Sequence, residues 1–463
     1  MNKENVVCFD AELIARYRGR GPRYTSYPTA LQFDGGFGLD DYRRHAQLSN
    51  AAQKPLSVYV HIPFCQALCY YCGCNKIVTR NTARVQNYLH ALHREIEMQA
   101  ELFDTGRTVE QLHFGGGTPT YLDETQLRAL MQALHQNFCF DEGETRQFSI
   151  EVDPRTVDRS GLALLAELGF NRLSLGVQDF DPQVQQAVNR IQSAEQVRAL
   201  QRHAQEFGFR SVSFDLIYGL PHQSVASFDR TLDEVVDMRP NRLAIYNYAH
   251  LPARFKGQRM IRDEDIPEPK VKLDILHHTI DKLTEAGYVY IGMDHFALPD
   301  DELVIAQQNH SLQRNFQGYS THGNCELIGL GVSAIGSIGG SYVQNSVSTI
   351  EYEEQIALDN IPVKRGLVLD DDDKLRAWVI QKLMCYDALS FDQVEREFAI
   401  GFRDYFEREL ALLQPLADDG LVTVDAAAIH ITPRGRLLLR SIAMVFDRYL
   451  QSSQGDQRFS RAI

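Results

Sequence analysis

At 463 residues, 44% of them hydrophobic, the chain can bury a large core, and a prior of about 150 residues per domain implies two or three domains. Its 47 Lys and Arg against 61 Asp and Glu, a formal net charge of −14, disfavour whole-molecule attraction to nucleic acid or to an anionic membrane. The N-terminus lacks the apolar stretch of roughly 7–15 residues that a signal peptide needs, and no apolar run of about 18 residues occurs, so a cytoplasmic protein without membrane insertion is expected.

Residues 1–57 read as an N-terminal arm with turn signals in place of periodicity, locally basic through Arg16, Arg18, Arg20 and Arg23. From Ser57 onward short β-rich runs alternate with amphipathic patterns: SVYVHIP (57–63), EQLHFGGG (110–117), FSIEVDP (148–154), NRLSLGVQ (171–178), SVSFDLIYGLP (211–221) and NRLAIYNYAH (241–250). Between them Val85, Tyr88, Leu89, Leu92, Ile96 and Phe103 share one helical stripe, and Asp123 with Gln126 forms a capping-box pattern ahead of Leu127, Leu130, Met131 and Leu134. This rhythm implies an α/β fold with parallel strands and right-handed crossovers, either a β/α barrel or a doubly wound sheet.

The strand ends decide between the two. Each runs into chemically useful residues: a cysteine loop, Gly115-Gly116-Gly117-Thr118, Glu151, Gln178, Asp215, then Asn247 and Ala249. Barrel active sites are built from strand C-terminal ends, whereas an open sheet gathers ligands at one switch point. Residues 58–300 are therefore assigned to a partial (β/α)6 barrel, with a possible extra strand in 283–300. Residues 301–365, rich in Gly and Ser between 315 and 340, read as connecting loops over the active site. In 366–463, helices near 371–385, 391–399 and 402–414, a hairpin across 421–432 and a last helix from Gly435 to Leu450 suggest a winged-helix-like C-terminal domain. Residues 366–450 hold 10 Lys and Arg against 15 Asp and Glu, so a structural or lid role is expected and no nucleic-acid partner.

HIPFCQALCYYCGCNK (61–76) places Cys65, Cys69, Cys72 and Cys74 within ten positions. Four such sulfurs can bind zinc, hold an iron–sulfur cluster, form a redox pair or do nothing. Structural zinc normally uses two separated knuckles, and no second knuckle follows; His61, on a strand, is expected to be hydrogen-bonded. Closely spaced cysteines suit a cluster, and three thiolates on a four-iron cluster leave one iron for a non-protein ligand. Electron carriers fill all four positions, often through a distant Cys followed by Pro; Cys74 precedes Asn75, and the chain has no Cys-Pro pair. Cys8, Cys139, Cys325 and Cys385 read as ordinary thiols.

The C-x3-C-x2-C loop after the first strand, with GGGTPT after the second, resembles the radical S-adenosylmethionine superfamily. From GPRYTSYPTA through HFGGGTPT, IEVDPR, GVQDF, DLIYGLP, NYAHLP, GMDHFA and NFQGY to the terminal FSRAI, nearly the whole chain is similar to the oxygen-independent coproporphyrinogen III oxidase family. The resemblance implies one 4Fe-4S cluster held by Cys65, Cys69 and Cys72, with S-adenosyl-L-methionine on the fourth iron and Cys74 not a ligand. It also implies that Gly116, Gly117, Thr118, Glu151, Tyr59 and Ile335 hold that molecule. A second adenosylmethionine is implied at Tyr71, Gln178, Arg190, Asp215 and Ala249, with Gly117 and Thr118 shared. Tyr71 stands where phenylalanine is expected, and Arg190 taken alone reads as a solvated surface charge.

The implied reaction starts from a 5′-deoxyadenosyl radical and converts two propionates of coproporphyrinogen III to vinyls, giving protoporphyrinogen IX for haem biosynthesis. It needs an electron donor to the cluster and a terminal electron acceptor, both unidentified, and the resemblance suggests a monomer. Arg16, Arg18, Arg20 and Arg23 are expected to meet the substrate carboxylates. The alternative is a radical-SAM-like haem-binding chaperone without decarboxylase activity; such relatives usually carry phenylalanine where this chain has Cys74.

Overall fold

The computed structural model describes residues 7–17 and 19–452; Arg18 and the terminal FSRAI lie outside the described residues. Six parallel strands form where the alternating runs place them: β1 (Leu56–Ile62), β2 (Thr108–Gly116), β3 (Gln147–Val152), β4 (Arg172–Gln178), β5 (Ser211–Tyr218) and β6 (Arg242–Asn247), paired in that order. Alternation sets the two faces. Val58, Val60, Leu112, Phe114, Ile150, Leu175 and Phe214 are fully buried and join the main core, each stabilising it by about 1.5–3 kcal/mol. The alternate positions Ser149, Glu151, Ser174, Ser213 and Asp215 are half-buried and line the barrel interior.

The helices cover the outer face. Thr82–Leu102 buries Val85, Tyr88, Leu89, Leu92 and Ile96, the predicted stripe, and Phe103 is buried just beyond it. Glu124–Asn137 starts with the expected capping box: Gln126 N donates to Asp123 Oδ1 at 2.9 Å, and Asp123 N donates to Gln126 Oε1 at 3.1 Å. The segment 283–300 supplies two antiparallel strands, Val289–Gly292 and His295–Ala297, the second paired to β6.

Residues 301–365 are not merely loops. Glu326–Leu330 pairs in parallel with β1 as a seventh parallel strand, and Ile335–Ile338, Ser341–Asn345 and Val363–Val368 extend that sheet edge in antiparallel fashion. The glycines that made the segment read as loop are packing positions. A Cβ on Gly329 would stand 2.8 Å from the Ile335 backbone, and one on Gly336 2.9 Å from Leu327 O. The hairpin Gln313–Asn315 with Gly318–Ser320 does overhang the interior. Within the arm, Leu39–Ala52 is a 14-residue helix whose buried side is the narrow, partly polar set Tyr42, His45, Ala46 and Ser49, a weak periodic signal.

The C-terminal part has a core of its own. Helices Asp371–Cys385, Phe391–Phe398, Phe402–Tyr405 and Glu407–Asp418 pack with a three-stranded sheet ordered Ala388–Ser390, Ala428–Ile431, Val422–Val424, a winged-helix arrangement. The expected last helix is broken into short turns, Gly435–Leu438, Leu439–Ala443, Met444–Phe446 and Arg448–Ser452. Leu13, Ile14, Tyr24 and Tyr27 of the arm belong to this same core.

Candidate active site

The cysteine loop leaves β1 at Pro63 and returns through the parallel pairing of Phe64–Cys65 with Ile77–Val78. Hydrogen bonds that hold it include Cys72 N to Cys69 O at 3.2 Å, Tyr70 N to Val188 O at 3.0 Å, and Asn189 Nδ2 to Leu68 O at 2.8 Å. Each expected iron ligand has a donor beside its sulfur. Thr118 Oγ1 donates to Cys65 Sγ at 3.5 Å; Arg190 Nη1 and Arg155 Nη2 lie 3.5 and 3.6 Å from Cys69 Sγ; Cys74 N donates to Cys72 Sγ at 3.5 Å. Neighbouring cations favour thiolates. Burial pushes the Cys65 thiol up to about 11, while a hydrogen bond from the Cys74 thiol brings Cys72 down to about 6.

Cys65, Cys69 and Cys72 line one cavity. Among the described residues no group of three or more His, Cys, Asp or Glu side chains is arranged to hold one metal ion, as structural zinc requires. A cluster instead takes its thiolates at separate irons around one object. His61 is committed elsewhere: Nδ1 meets Tyr59 OH at 3.0 Å and Nε2 meets Asn75 O at 3.0 Å, and burial holds its pKa below the usual histidine value.

Beside the cysteines lies a cradle without side chains. Gly116 has φ +116°, and a Cβ there would lie 2.8 Å from the His61 ring; a Cβ on Gly117 would lie 2.7 Å from the carbonyl carbon and oxygen of Pro63. Gly116 N donates to Glu151 Oε2 at 3.1 Å, fixing the carboxylate against the glycines, and His113 Nε2 lies 3.4 Å from Glu151 Oε1. Opposite, Arg190 is buried, 6% exposed, with Nη1 3.0 Å from Asp153 Oδ2 and bonds to Gly176 O. The surface-charge reading of this residue is thus wrong. Asp215 Oδ2 accepts from Ser174 Oγ at 2.8 Å, and burial pushes its carboxyl up to about 7.

A cavity of about 490 Å³ gathers Cys65, Cys69, Cys72, Tyr71, Gly116, Gly117, Thr118, Glu151, Gln178, Arg190 and Asp215. Gln178 sits at φ +66°, just past the register break of β4 against β5. Tyr59 and Ile335 line a second cavity of about 550 Å³ inside the barrel. Cys74, Gly116, Glu151, Ser174, Asp215 and Tyr246 line both, so the two spaces are contiguous. Ala249 lines neither. Its carbonyl accepts from Gln258 Nε2 at 3.2 Å, and the same amide donates to Tyr71 O at 2.9 Å, so Ala249 reaches the site through Gln258.

A model of the radical SAM superfamily matches residues 59–235, and a model of the HemN C-terminal domain matches residues 369–438. The oxygen-independent coproporphyrinogen III oxidase of Pseudomonas aeruginosa is 52% identical over 99% of this chain and 100% of its own length; that of Escherichia coli is 50% identical over 99% of both. The chain belongs to the oxygen-independent coproporphyrinogen III oxidase family. A solved coproporphyrinogen III oxidase (HemN) from Escherichia coli, described as a radical SAM enzyme, matches with a TM-score of 0.91 at 49% identity, over 96% of this chain and 99% of that one. Radical SAM membership implies a 4Fe-4S cluster and adenosylmethionine.

Against that family background, Arg16 and Arg23 of the arm are committed to carboxylates of the protein itself. Arg16 pairs with Asp419 of the C-terminal part at 2.5 Å, and Arg23 pairs with Asp294 at 2.6 Å; neither lines the cysteine cavity or the barrel interior. The cations that do line the barrel cavity are Arg172 and Arg242, bound to Glu302 at 2.6 Å and Asp301 at 2.8 Å. Asp153, His113 and Tyr246 were also not singled out. Asp153 lies within the quoted IEVDPR, and its place directly after a strand end was the available signal. Among the described residues no helix is long and apolar enough to cross a membrane.

Proposed function

We propose that this chain converts two propionate side chains of coproporphyrinogen III to vinyl groups, giving protoporphyrinogen IX for haem biosynthesis. The observation that carries this reading is the opening of the cysteine and glycine cavity into the polar barrel interior across Gly116, Glu151, Ser174 and Asp215. When bound, the cluster and adenosylmethionine supply hydrogen-atom abstraction, chemistry that no side chain offers. Each propionate loses a hydrogen atom from its β-carbon, carbon dioxide and one electron, and the electron passes to an external acceptor.

The chain's own residues position and enclose. Cys65, Cys69 and Cys72 would hold the cluster, with Arg190 and Arg155 offsetting thiolate charge at Cys69. Gly116 and Gly117 let backbone approach the methionine group, and Glu151 stands ready to accept from its ammonium. A second adenosylmethionine at Tyr71, Gln178, Arg190 and Asp215 is supported by their lining the same cavity as the cysteines and glycines. Phe316 and Tyr319, on the overhanging hairpin, screen the barrel interior from water. The same reading includes a cytoplasmic, monomeric enzyme and an electron donor yet to be identified.

The test is an anaerobic assay of cluster-reconstituted, reduced protein with adenosylmethionine, coproporphyrinogen III and an electron acceptor. Protoporphyrinogen formed together with methionine is the expected result. Methionine and 5′-deoxyadenosine without vinyl products would move the substrate elsewhere, and neither product from a loaded cluster would favour a haem-binding role. Equilibrium binding of adenosylmethionine to the loaded protein is expected to give two equivalents per chain.

A further inference from the structure

Around the barrel cavity and the chamber that adjoins it, three buried polar atoms have no hydrogen-bond partner: Nη1 of Arg314, Nδ1 of His295 and Nε2 of Gln317. They belong to the strand His295–Ala297 and to the hairpin that overhangs the interior. Arg314 is 8% exposed. Its Nε donates to Arg23 O at 3.4 Å and its guanidinium lies 4.7 Å from the centroid of Tyr319, whose ring also packs edge-on against His295. Arg23, Arg172 and Arg242 each have a carboxylate partner; among the described residues Arg314 has none. Burial, and then the cations Arg314, Arg23 and Arg242, hold the His295 pKa well below the usual histidine value. A guanidinium taken out of water without a counter-charge is unfavourable, so this region is incomplete without an anion.

The cavities indicate where that anion comes from. His295 and Gln317 line the 550 Å³ interior, whereas Arg314 lines an adjoining chamber of about 210 Å³ that shares Gln111, Phe316 and Leu327 with it. None of the three lines the cavity that gathers the cysteines and glycines. Tyr319 joins the two sides, 4.7 Å from the Arg314 guanidinium and 5.3 Å from the His295 ring, and a planar guanidinium with further polar groups nearby suits a carboxylate. We propose that Arg314, His295 and Gln317 form a carboxylate subsite that takes a propionate of the porphyrinogen other than the one undergoing reaction. The subsite rests on the coproporphyrinogen reading and adds the residues that orient the ring within the barrel.

The experiment compares wild type, Arg314→Met, Arg314→Lys and Gln317→Leu as loaded enzymes. Arg314→Met is expected to raise KM for coproporphyrinogen III by about 10- to 100-fold, with kcat and adenosylmethionine affinity within about twofold; Arg314→Lys recovers part of the loss and Gln317→Leu raises KM by about 3- to 10-fold. Removing a buried charge that lacks a protein partner is expected to leave the substrate-free melting temperature unchanged or higher. A structural role predicts the reverse, so a lowered melting temperature with unchanged KM overturns the proposal. Gln317→Leu carries the test should Arg314→Met fail to fold; an unchanged KM there overturns it as well. If wild type shows no turnover, the functional reading fails by itself, and fluorescence titration of coproporphyrin into wild type and Arg314→Met then decides the subsite: equal affinities overturn it, a tenfold weaker variant supports it.

Discussion

Gly117 shows how little latitude single positions of the cradle allow. Its missing Cβ would fall 2.7 Å from the Pro63 carbonyl, and the obstacle is backbone, which cannot rotate away as a side chain can. Gly117→Ala is therefore expected to lower adenosylmethionine affinity at least about tenfold and to destabilise the protein by about 1–3 kcal/mol; calorimetric titration and thermal melts check both. Asp215 gives a pH signature. Burial raises its carboxyl to about 7, above the value of about 4 it has when unfolded. A raised acid is protonated in both states below about pH 4, and the stability this allows is lost as pH rises toward 7. Asp215→Asn removes that loss, so its stability gain over wild type is expected to be about 1–3 kcal/mol larger at pH 8 than at pH 4.5 in urea unfolding of the ligand-free protein. An equal gain at both pH values would sink the assignment.

Between elements, the most concentrated coupling lies behind the barrel. Glu95, fully buried on the helix Thr82–Leu102, accepts from Gly331 N, Asn345 Nδ2 and Tyr352 OH, each at 2.7 Å. Two turns earlier Tyr88 OH donates to His61 O at 2.7 Å and accepts from Val332 N at 3.1 Å. These bonds tie two outer helices to the ends of β1 and Glu326–Leu330, and so to His61 and Ile335 at the cavity. Glu95→Ala removes the acceptor shared by three buried donors, of which Asn345 Nδ2 keeps its bond to Gly331 O, and is expected to cost about 2–4 kcal/mol in chemical unfolding. A charged residue between Leu92 and Ile96 on an apolar stripe was a legible mark of such a network. The six barrel strands were legible because alternation survives in each, and the cysteine and glycine loops because their spacing is local. Glu326–Leu330 and Ile335–Ile338 were hidden by glycines present for close backbone approach. Arg190 was named by family resemblance, but its burial was hidden because its partner Asp153 lies 37 positions away and nothing local marks the pair.

For the whole molecule, the arm acts as a strap joining barrel and C-terminal part. Leu13, Ile14, Tyr24 and Tyr27 are buried in the C-terminal core, Tyr24 OH donates to Asp447 Oδ2 at 2.9 Å, and Tyr17 OH and Arg16 both meet Asp419. Arg23 makes the opposite attachment. Its Nη1 meets Asp294 Oδ2 at 2.6 Å on the barrel side, its guanidinium lies 5.4 Å from the Tyr246 centroid, and its carbonyl accepts from Arg314. With side chains 31% and 20% exposed, the pair is only partly screened, and removing one partner strands the other in a largely dry junction. Arg23→Ala is expected to lower stability by about 1–3 kcal/mol and to speed tryptic cleavage within the arm, while KM for the porphyrinogen changes by less than about threefold. The charge lost there is neutralised by Asp294 and is not available to a substrate carboxylate. A variant with intact protease resistance and a tenfold higher KM would return Arg23 to the substrate site.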